Sequence, residues 1–594
     1  VSAAERIVPG PAGCGAARLR HPPRWSALAA WIGAAGLASL AVHTVLITLL
    51  TVARTHSAIP QADEWFSVEL YDRFLQALQG GRAAAALQLL FEPHNEHRLV
   101  FPRLVFFADY RVFGGSGLLD KAVILATQAL QAALLVWLAV RAGAGPAARV
   151  ALGAVAVALL FSLQQGENFV WAFQVQFVGV FACASLCCAL FAFGLRSGVA
   201  GRGGARRVAG AFALVVVATF TMANGLLAGP VLVALALLAR AGRLAVVAAA
   251  AVALAAVAAF FAGYHPDAGG EPTADLLAHL PRVVAFAAGY LGTFSRFGLA
   301  SRIALGACGL AATAAVAGAL AMRGDALRSG RGAAQLALLG IALFAAGSAL
   351  VTAVGRSGSG LEFVGSSRYA TGAACFWGAT IVNLWTLGRG GLPRRAGRLA
   401  AGLAAAVLLE ATAAGQGDRE IEMERRAAQY GAMEDAMLLG FYDLPALRSF
   451  VEPVDQAREM EPVLRRLHLS IFGTRDAGLL GRPPSAAAAP GAPPLACAGS
   501  FASAIAEPAL GADGVAVAGT SGLRSRSGRP GRVYVADGEG RIVGFAHTGV
   551  GDARWTGYAR ARPGAVLAAW ALSDAGRLCR LGEIPVSAGP PPGD

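Results

Sequence analysis

Residues Ala27–Val52 read ALAAWIGAAGLASLAVHTVLITLLTV, an apolar run in which His43 is the lone ionisable side chain. About 20 apolar helical residues cross the ~30 Å hydrocarbon core of a bilayer, so this stretch is long enough to span it. Arg18, Arg20 and Arg24 precede it. Positive charge collects on cytoplasmic flanks, which places the tail 1–26 in the cytoplasm. The run is too long for a secretory signal core and lacks a small-residue cleavage pattern, so it is expected to stay in the mature chain as a span.

Working outward, similar runs recur near Leu118–Val140, Val150–Leu163, Phe169–Leu195, Val208–Ala223, Leu226–Leu238, Leu244–Gly263, Leu299–Met322, Ala333–Val354, Ala370–Leu387 and Leu399–Ala414. With 56% hydrophobic residues, 14% charged and a mean hydropathy of +0.56, the chain lies far from soluble averages. The predicted fold is a mainly α polytopic membrane protein with about eleven transmembrane helices over 27–416. Arginine-bearing loops alternate along it: Arg141 and Arg149; Arg196, Arg202, Arg206 and Arg207; Arg240 and Arg243; Arg323, Arg328 and Arg331; and Arg389, Arg394, Arg395 and Arg398. These are expected in the cytoplasm. The first loop 53–115, QQGENF, MANG, the Tyr264–Arg282 stretch and GRSGSGLEFVGSSRY are expected outside, with the C-terminal region. That parity requires Val208–Leu238 to form two short helices, not one bent one, and Leu276–Phe297 to be interfacial or re-entrant. The net charge of +14 is spread as arginine over these loops, with Lys121 the single lysine. No basic face for nucleic acid results.

Past Gln416 the composition changes. Residues 417–481 read as charged amphipathic helices, 482–495 as a Pro/Ala linker, and 496–594 as a small extracytoplasmic β domain. The last rests on RVYVAD, RIVGFAHT and AVLAAWAL, alternating segments divided by Gly/Asp turns. A sandwich closed by a Cys497–Cys579 disulfide fits a region outside the cytoplasm. Cys183, Cys187, Cys188, Cys308 and Cys375 fall in spans and read as small packing residues.

Chemistry-bearing residues crowd the first loop. Phe66, Leu70, Phe74 and Leu78 form an i, i+4 row that predicts a surface helix, ended by Gly80-Gly81. A second helix is predicted from Pro93, breaking near Pro102. Asp63-Glu64 could supply a general base for an acceptor hydroxyl, hold a divalent cation such as Mg or Mn, or cap the surface helix. In the predicted helix His94 and His97 share a face, fit for a metal or, protonated, a phosphate, while Glu96 points elsewhere; the spacing is not that of HExxH. Glu167 lies in QQGENFVWAFQVQ, with Gln174 and Gln176 beginning the next span; polar groups there are costly unless they line a wet cavity or pair. Arg368 and Tyr369, in SSRYATG, could grip a lipid-linked phosphate, with Arg356, Arg296 and His265 as weaker members of the same positive pocket.

This layout resembles the GT-C superfamily of membrane glycosyltransferases. Asp63-Glu64 is similar to the Asp-Glu pair of its protein O-mannosyltransferase branch, Glu167 to its second-loop acid, and Arg368-Tyr369 to the lipid-phosphate contacts of aminoarabinose-transferase-like members. HNEHR departs from the general pattern and resembles a loop of other bacterial membrane proteins of this type. The resemblance covers about the first two-thirds of the chain. It implies a bacterial inner-membrane enzyme that takes a polyprenyl-phosphate-linked sugar and passes it to a glycan, lipid or protein outside the cytoplasm. Asp63, Glu64 and Glu167 would do the chemistry, Asp63 and Glu167 being the candidate cation ligands. His94, Glu96, His97, Arg98, Arg368 and Tyr369 would bind the donor. The rivals are a transporter or flippase of a lipid-linked or anionic solute, an envelope assembly protein without catalysis, and a glycan polymerase or ligase.

Overall fold

The computed structural model describes residues 24–198, 201–264, 279–356, 358, 360–387, 394–442, 454–523, 531–549 and 552–589. The tail up to residue 23, Arg389 and His265 lie outside them. Helix α1 (Arg24–Arg54) is followed by three first-loop helices, α2 (Glu64–Gln79), α3 (Ala83–Leu90) and α4 (Val100–Phe113). The bundle continues as α5 (Leu118–Arg141), α6 (Pro146–Leu160), the short α7 (Gly166–Val170), α8 (Val175–Arg196), α9 (Arg202–Thr219), α10 (Ala228–Leu238) and α11 (Arg243–Phe261). It closes with α12 (Leu280–Leu291), α13 (Leu299–Ala321), α14 (Gly330–Arg356), α15 (Ala370–Thr386) and α16 (Arg394–Leu438).

Among the described residues, eight helices are long and apolar enough to cross a membrane: α1, α5, α6 run on into α7, α8, α11, α13, α14 and α16. The chain is therefore read as a membrane protein, and the expectation of about eleven spans is not met by these criteria. Helix α10 has 11 residues and α15 has 17. Helix α9 begins on Arg202, Arg206 and Arg207, which dilute its apolar content. Val208–Leu238 is two helices because the chain folds back at Asn224-Gly225. A Cβ on Gly225 would lie 1.9 Å from the Ala218 carbonyl oxygen, so only glycine lets the two pieces meet. Helix α12 has 12 residues, short of a full span as expected. It packs on α13 so closely that a Cβ on Gly306 would fall 1.7 Å from the Ala288 carbonyl oxygen.

The alternation of loops is visible as two ends of the bundle. At one end Arg328 donates to the Arg240 carbonyl, Arg331 to that of Thr386 and Arg323 to that of Leu387, while Arg196 lies against Gly330. At the other end the first loop meets Trp171 and Phe173, MANG, the end of α11 and the end of α14, and QQGENF meets the SSRY segment, through the contacts described below. These carbonyl contacts satisfy helix C-termini that would otherwise keep unpaired acceptors.

The composition change near Gln416 does not interrupt the backbone. Helix α16 runs 45 residues through it, because GDREIEMERRAAQYGAMEDA contains no proline and many good helix formers. At 1.5 Å per residue that is roughly 68 Å, about twice the hydrocarbon thickness, so the span and the first charged segment are one rod. The β domain is a single seven-stranded antiparallel sheet in the order β1-β2-β5-β4-β3-β6-β7. Its strands are β1 (Gly499–Ala506), β2 (Gly514–Ser521), β3 (Arg532–Ala536), β4 (Ile542–Thr548), β5 (Arg554–Arg560), β6 (Val566–Leu572) and β7 (Leu578–Pro585). Gly582 of β7 lies against Phe501 of β1, so the sheet curls into a barrel-like form and not the expected two-sheet sandwich. Cys497 and Cys579 form the expected disulfide, with Cα atoms 6.0 Å apart. Trp555, Val517, Val535 and Leu567 fill its interior. The linker lies along the domain: Gly481 N donates to Ile542 O and Leu495 N to Leu578 O, both at 2.8 Å.

Candidate functional site

The start of α2 sets the site. Gln61 N donates to Glu64 Oε2 at 2.8 Å and Glu64 N to Gln61 O at 2.9 Å, a reciprocal cap closed by the acidic residue. Phe173 N, just before α8, donates to Glu64 Oε1 at 2.9 Å. Glu64 therefore ties the first loop to the bundle. Burial pushes its carboxyl up from 4.5 to about 7, against the pull of the two N–H donors and the nearby Lys121 charge. Asp63 makes no capping bond, and its side chain is 37% exposed. The two neighbours divide the roles that the sequence left open: Glu64 holds the turn, and Asp63 stays outside the cap, beside His94.

Glu64 carries a testable consequence. A carboxyl whose folded pKa lies above its unfolded value keeps its proton better when folded. Its contribution is present at pH 4.5 and falls as pH rises toward about 7. Glu64→Gln is expected to flatten that part of the stability profile, read as the thermal midpoint of the detergent-purified protein between pH 5 and 8. A profile as steep as wild type would remove this account of Glu64.

The HNEHR stretch is not the predicted helix. His94 and His97 are paired across a tight turn, His94 N to His97 O at 2.8 Å and His97 N to His94 O at 2.9 Å. Asn95 takes φ +48°, a conformation asparagine tolerates and helices exclude. Helix α4 begins only at Val100, where Pro102 falls in the first turn and breaks nothing. The two imidazoles consequently have different neighbours. His94 Nε2 lies 3.6 Å from Asp63 Oδ2, its ring packed edge-on against Phe66 and Phe173. His97 Nε2 lies 3.7 Å from Glu96 Oε1, and its Nδ1 faces the Ala223 N–H of the MANG loop at 3.4 Å. Burial holds the His97 imidazole below its ordinary 6.5. Glu96 is also 3.7 Å from Arg356 at the end of α14. Arg98 turns elsewhere, donating to the carbonyls of Phe91 at 2.8 Å and Ala262 at 2.7 Å.

Glu167 and Arg368 meet. Glu167 Oε2 is 3.6 Å from Arg368 Nε and accepts from Arg368 N and Ser366 Oγ, both at 3.3 Å. Ser366 Oγ also accepts from Arg368 Nε at 3.0 Å. The guanidinium is engaged through Nε, it sits 5.8 Å from the centre of the Trp171 ring, and its side chain is 37% exposed. Among the described residues nothing binds its terminal NH2 groups, which leaves them for another anion. Tyr369 is buried, stacked on Tyr290 with ring centres 4.7 Å apart, and so shapes the wall. Beneath lies a buried polar network in which Asn168 donates to Thr371 Oγ1 and Gln128 to Gln165 Oε1.

Sequence reasoning did not single out Trp171, Gln61 or Tyr430, which join the two halves. Trp171 Nε1 donates to Gln61 O at 3.1 Å, and its ring stacks on Phe173, which touches His94. Tyr430, on the extramembrane part of α16, donates to Gln61 Oε1 at 2.8 Å. The path Asp63–His94–Phe173–Trp171–Arg368–Glu167 is thus continuous, with a carboxylate at each end and a guanidinium beside Glu167. The aromatic run in FVWAF was the available signal. Arg368 and Ser366 both engage Glu167 through Oε2, and Asp63 stands at the other end of the path. No group of three potential ligands gathers among the described residues. Compared with known proteins, the chain matches no protein-family model and no curated protein.

Proposed function

We propose that this protein is a glycosyltransferase of the GT-C type, moving a sugar from a polyprenyl-phosphate donor to a cell-envelope glycan, lipid or protein. Its place would be the bacterial inner membrane, with the tail in the cytoplasm and the Asp63 end and β domain outside. The observation that supports this most is the separation of roles along one aromatic-lined rim. A free carboxylate stands beside a histidine, and a guanidinium with open donors stands beside apolar helices able to take a lipid tail.

Asp63 takes the proton from the acceptor hydroxyl, whose oxygen forms a bond to the anomeric carbon as the bond to the phosphate oxygen breaks. Attack from the face opposite the leaving group inverts the anomeric centre. The polyprenyl phosphate departs already ionised and needs positive charge more than a proton donor. Arg368 supplies it, with Arg356 further along the rim. His94, whose Nε2 lies 3.6 Å from Asp63 Oδ2, steadies the carboxylate. Glu167 fixes the Arg368 side chain through Nε, which presents the terminal nitrogens to the phosphate.

The test is a reconstitution. Purified protein in proteoliposomes receives polyprenyl-phosphate donors bearing labelled sugars, and free polyprenyl phosphate is measured with and without envelope extract. Release that needs the extract and labels a component of it is expected. Movement of intact donor between leaflets without cleavage would replace the enzyme with a transporter.

A further inference from the structure

At the bundle end opposite Asp63, α5 and α8 part to leave a crevice of about 400 Å³. Leu134, Leu186, Ala189, Leu190 and Phe193 form its apolar wall, and Arg141, Arg196 and Arg207 stand at its rim. The end assignment follows from helix direction. The first turn of α5 lies at Lys121, beside Ser57 of the first loop, and α8 begins at Val175, just after Phe173; Arg141 and Arg196 are in their last turns.

Three exposed guanidiniums gather here without a carboxylate partner among the described residues. A single arginine at such a place needs no special account, since it complements a helix C-terminus and reaches for water. Three converging on one opening repel one another and lower the energy of any anion placed between them. Arg141 is held in place: its guanidinium lies 5.9 Å from the centre of the Trp137 ring and 5.6 Å from that of Phe193, and those rings are 4.8 Å apart. Arg207 donates to Ser197 Oγ at 2.6 Å, which fixes it over the turn after α8. The apolar wall below runs between the spans α5 and α8 with Leu134, Leu186 and Leu190 half-buried, a surface on which water gains nothing and a hydrocarbon chain packs.

We propose that this crevice is a binding site for an anionic diacyl phospholipid of the surrounding membrane. Its phosphate lies among Arg141, Arg196 and Arg207, and one acyl chain runs along Leu134, Leu186 and Leu190. The charge calls for a phosphate ester, and the greasy length below it selects a lipid over a soluble phosphate. This site is independent of sugar transfer and stands or falls without it.

Native mass spectrometry of the full-length protein in neutral detergent tests it, using phosphatidylglycerol and phosphatidylcholine with identical chains. Wild type is expected to retain phosphatidylglycerol about a hundredfold better than phosphatidylcholine, the ratio that three basic residues give at ~1 kcal/mol each near an anionic lipid. The triple variant Arg141→Gln, Arg196→Gln, Arg207→Gln should lose that preference, and Arg562→Gln, on the β domain, should keep it. Leu190→Trp, which fills the crevice and leaves the charge intact, should lower retention of both lipids. The rim arginines are exposed, so the triple variant is expected to fold; elution as a single peak with the wild-type melting midpoint checks this. Equal retention by wild type and the triple variant would overturn the site. Displacement of the lipid by 10 mM inorganic phosphate, with Leu190→Trp unaffected, would overturn the lipid and leave a soluble anion.

Discussion

Asp63→Asn is expected to lower sugar transfer by about 10²–10⁴-fold, the usual worth of a positioned general base, with little change in donor KM. The amide keeps the shape and removes the proton acceptor. Because Asp63 makes no capping hydrogen bond and is partly exposed, the thermal midpoint should stay near wild type. The adjacent Glu64 cannot take over, since both of its oxygens are committed to the N–H groups of Gln61 and Phe173. Arg368→Gln should act differently. It removes charge-assisted bonds to the donor phosphate worth about 1.5–3 kcal/mol, so donor KM rises about tenfold or more. The measurement is initial-rate kinetics with varied lipid-linked donor. Wild-type kcat in Asp63→Asn would remove Asp63 as the base, and a rise in KM alone would make it a binding residue.

How much of this was legible in the sequence depends on the kind of signal. Apolar runs and arginine alternation needed only composition. The two ends of the bundle follow them, with Arg328 meeting Arg240 at one end and Glu167 meeting Arg368 at the other. The break at Asn224-Gly225 was legible too, but helices near the length limit, α10 with 11 residues and α15 with 17, were harder, because hydropathy alone does not show whether they cross. The HNEHR turn was misread for a local reason. Pro93 suits a helix start, and that preference hid the asparagine two residues later that takes a left-handed conformation. The acids and the arginine were visible as residues out of place in greasy surroundings. Their wiring through Trp171, Gln61 and Tyr430 was not, since it joins positions far apart in the chain. Nor did the change of composition near Gln416 reveal that the helix runs straight on.

That continuous helix leads to the second large expected effect, at the joint between α16 and the β domain. Asp435 on α16 is fully buried and shared by Arg532 of β3 and His547 of β4, whose Nδ1 lies 2.8 Å from Oδ2. Arg532 Nε is also 2.7 Å from Asp476 Oδ2, and His547 Nε2 faces the Ala428 carbonyl at 3.1 Å. Asp435→Ala leaves two buried cationic groups short of their shared anion, a loss expected at about 3–5 kcal/mol. The β domain should then part from α16 and be released by limited trypsin digestion many times faster than in wild type. Burial alone would lower the His547 pKa, but the Asp435 hydrogen bond and charge raise it above its ordinary 6.5. The stabilisation is therefore fully present below pH 6.5 and is lost as pH climbs through the raised value. Wild-type digestion should quicken over that window, and Asp435→Ala should show no such slope. Tyr430 lies on the same helix and bonds Gln61 beside Asp63, so loosening the joint should also slow transfer at saturating donor. Wild-type trypsin resistance in Asp435→Ala would mean that this ion cluster does not hold the domain, and that the apolar contact of Phe441 with Tyr558 is enough.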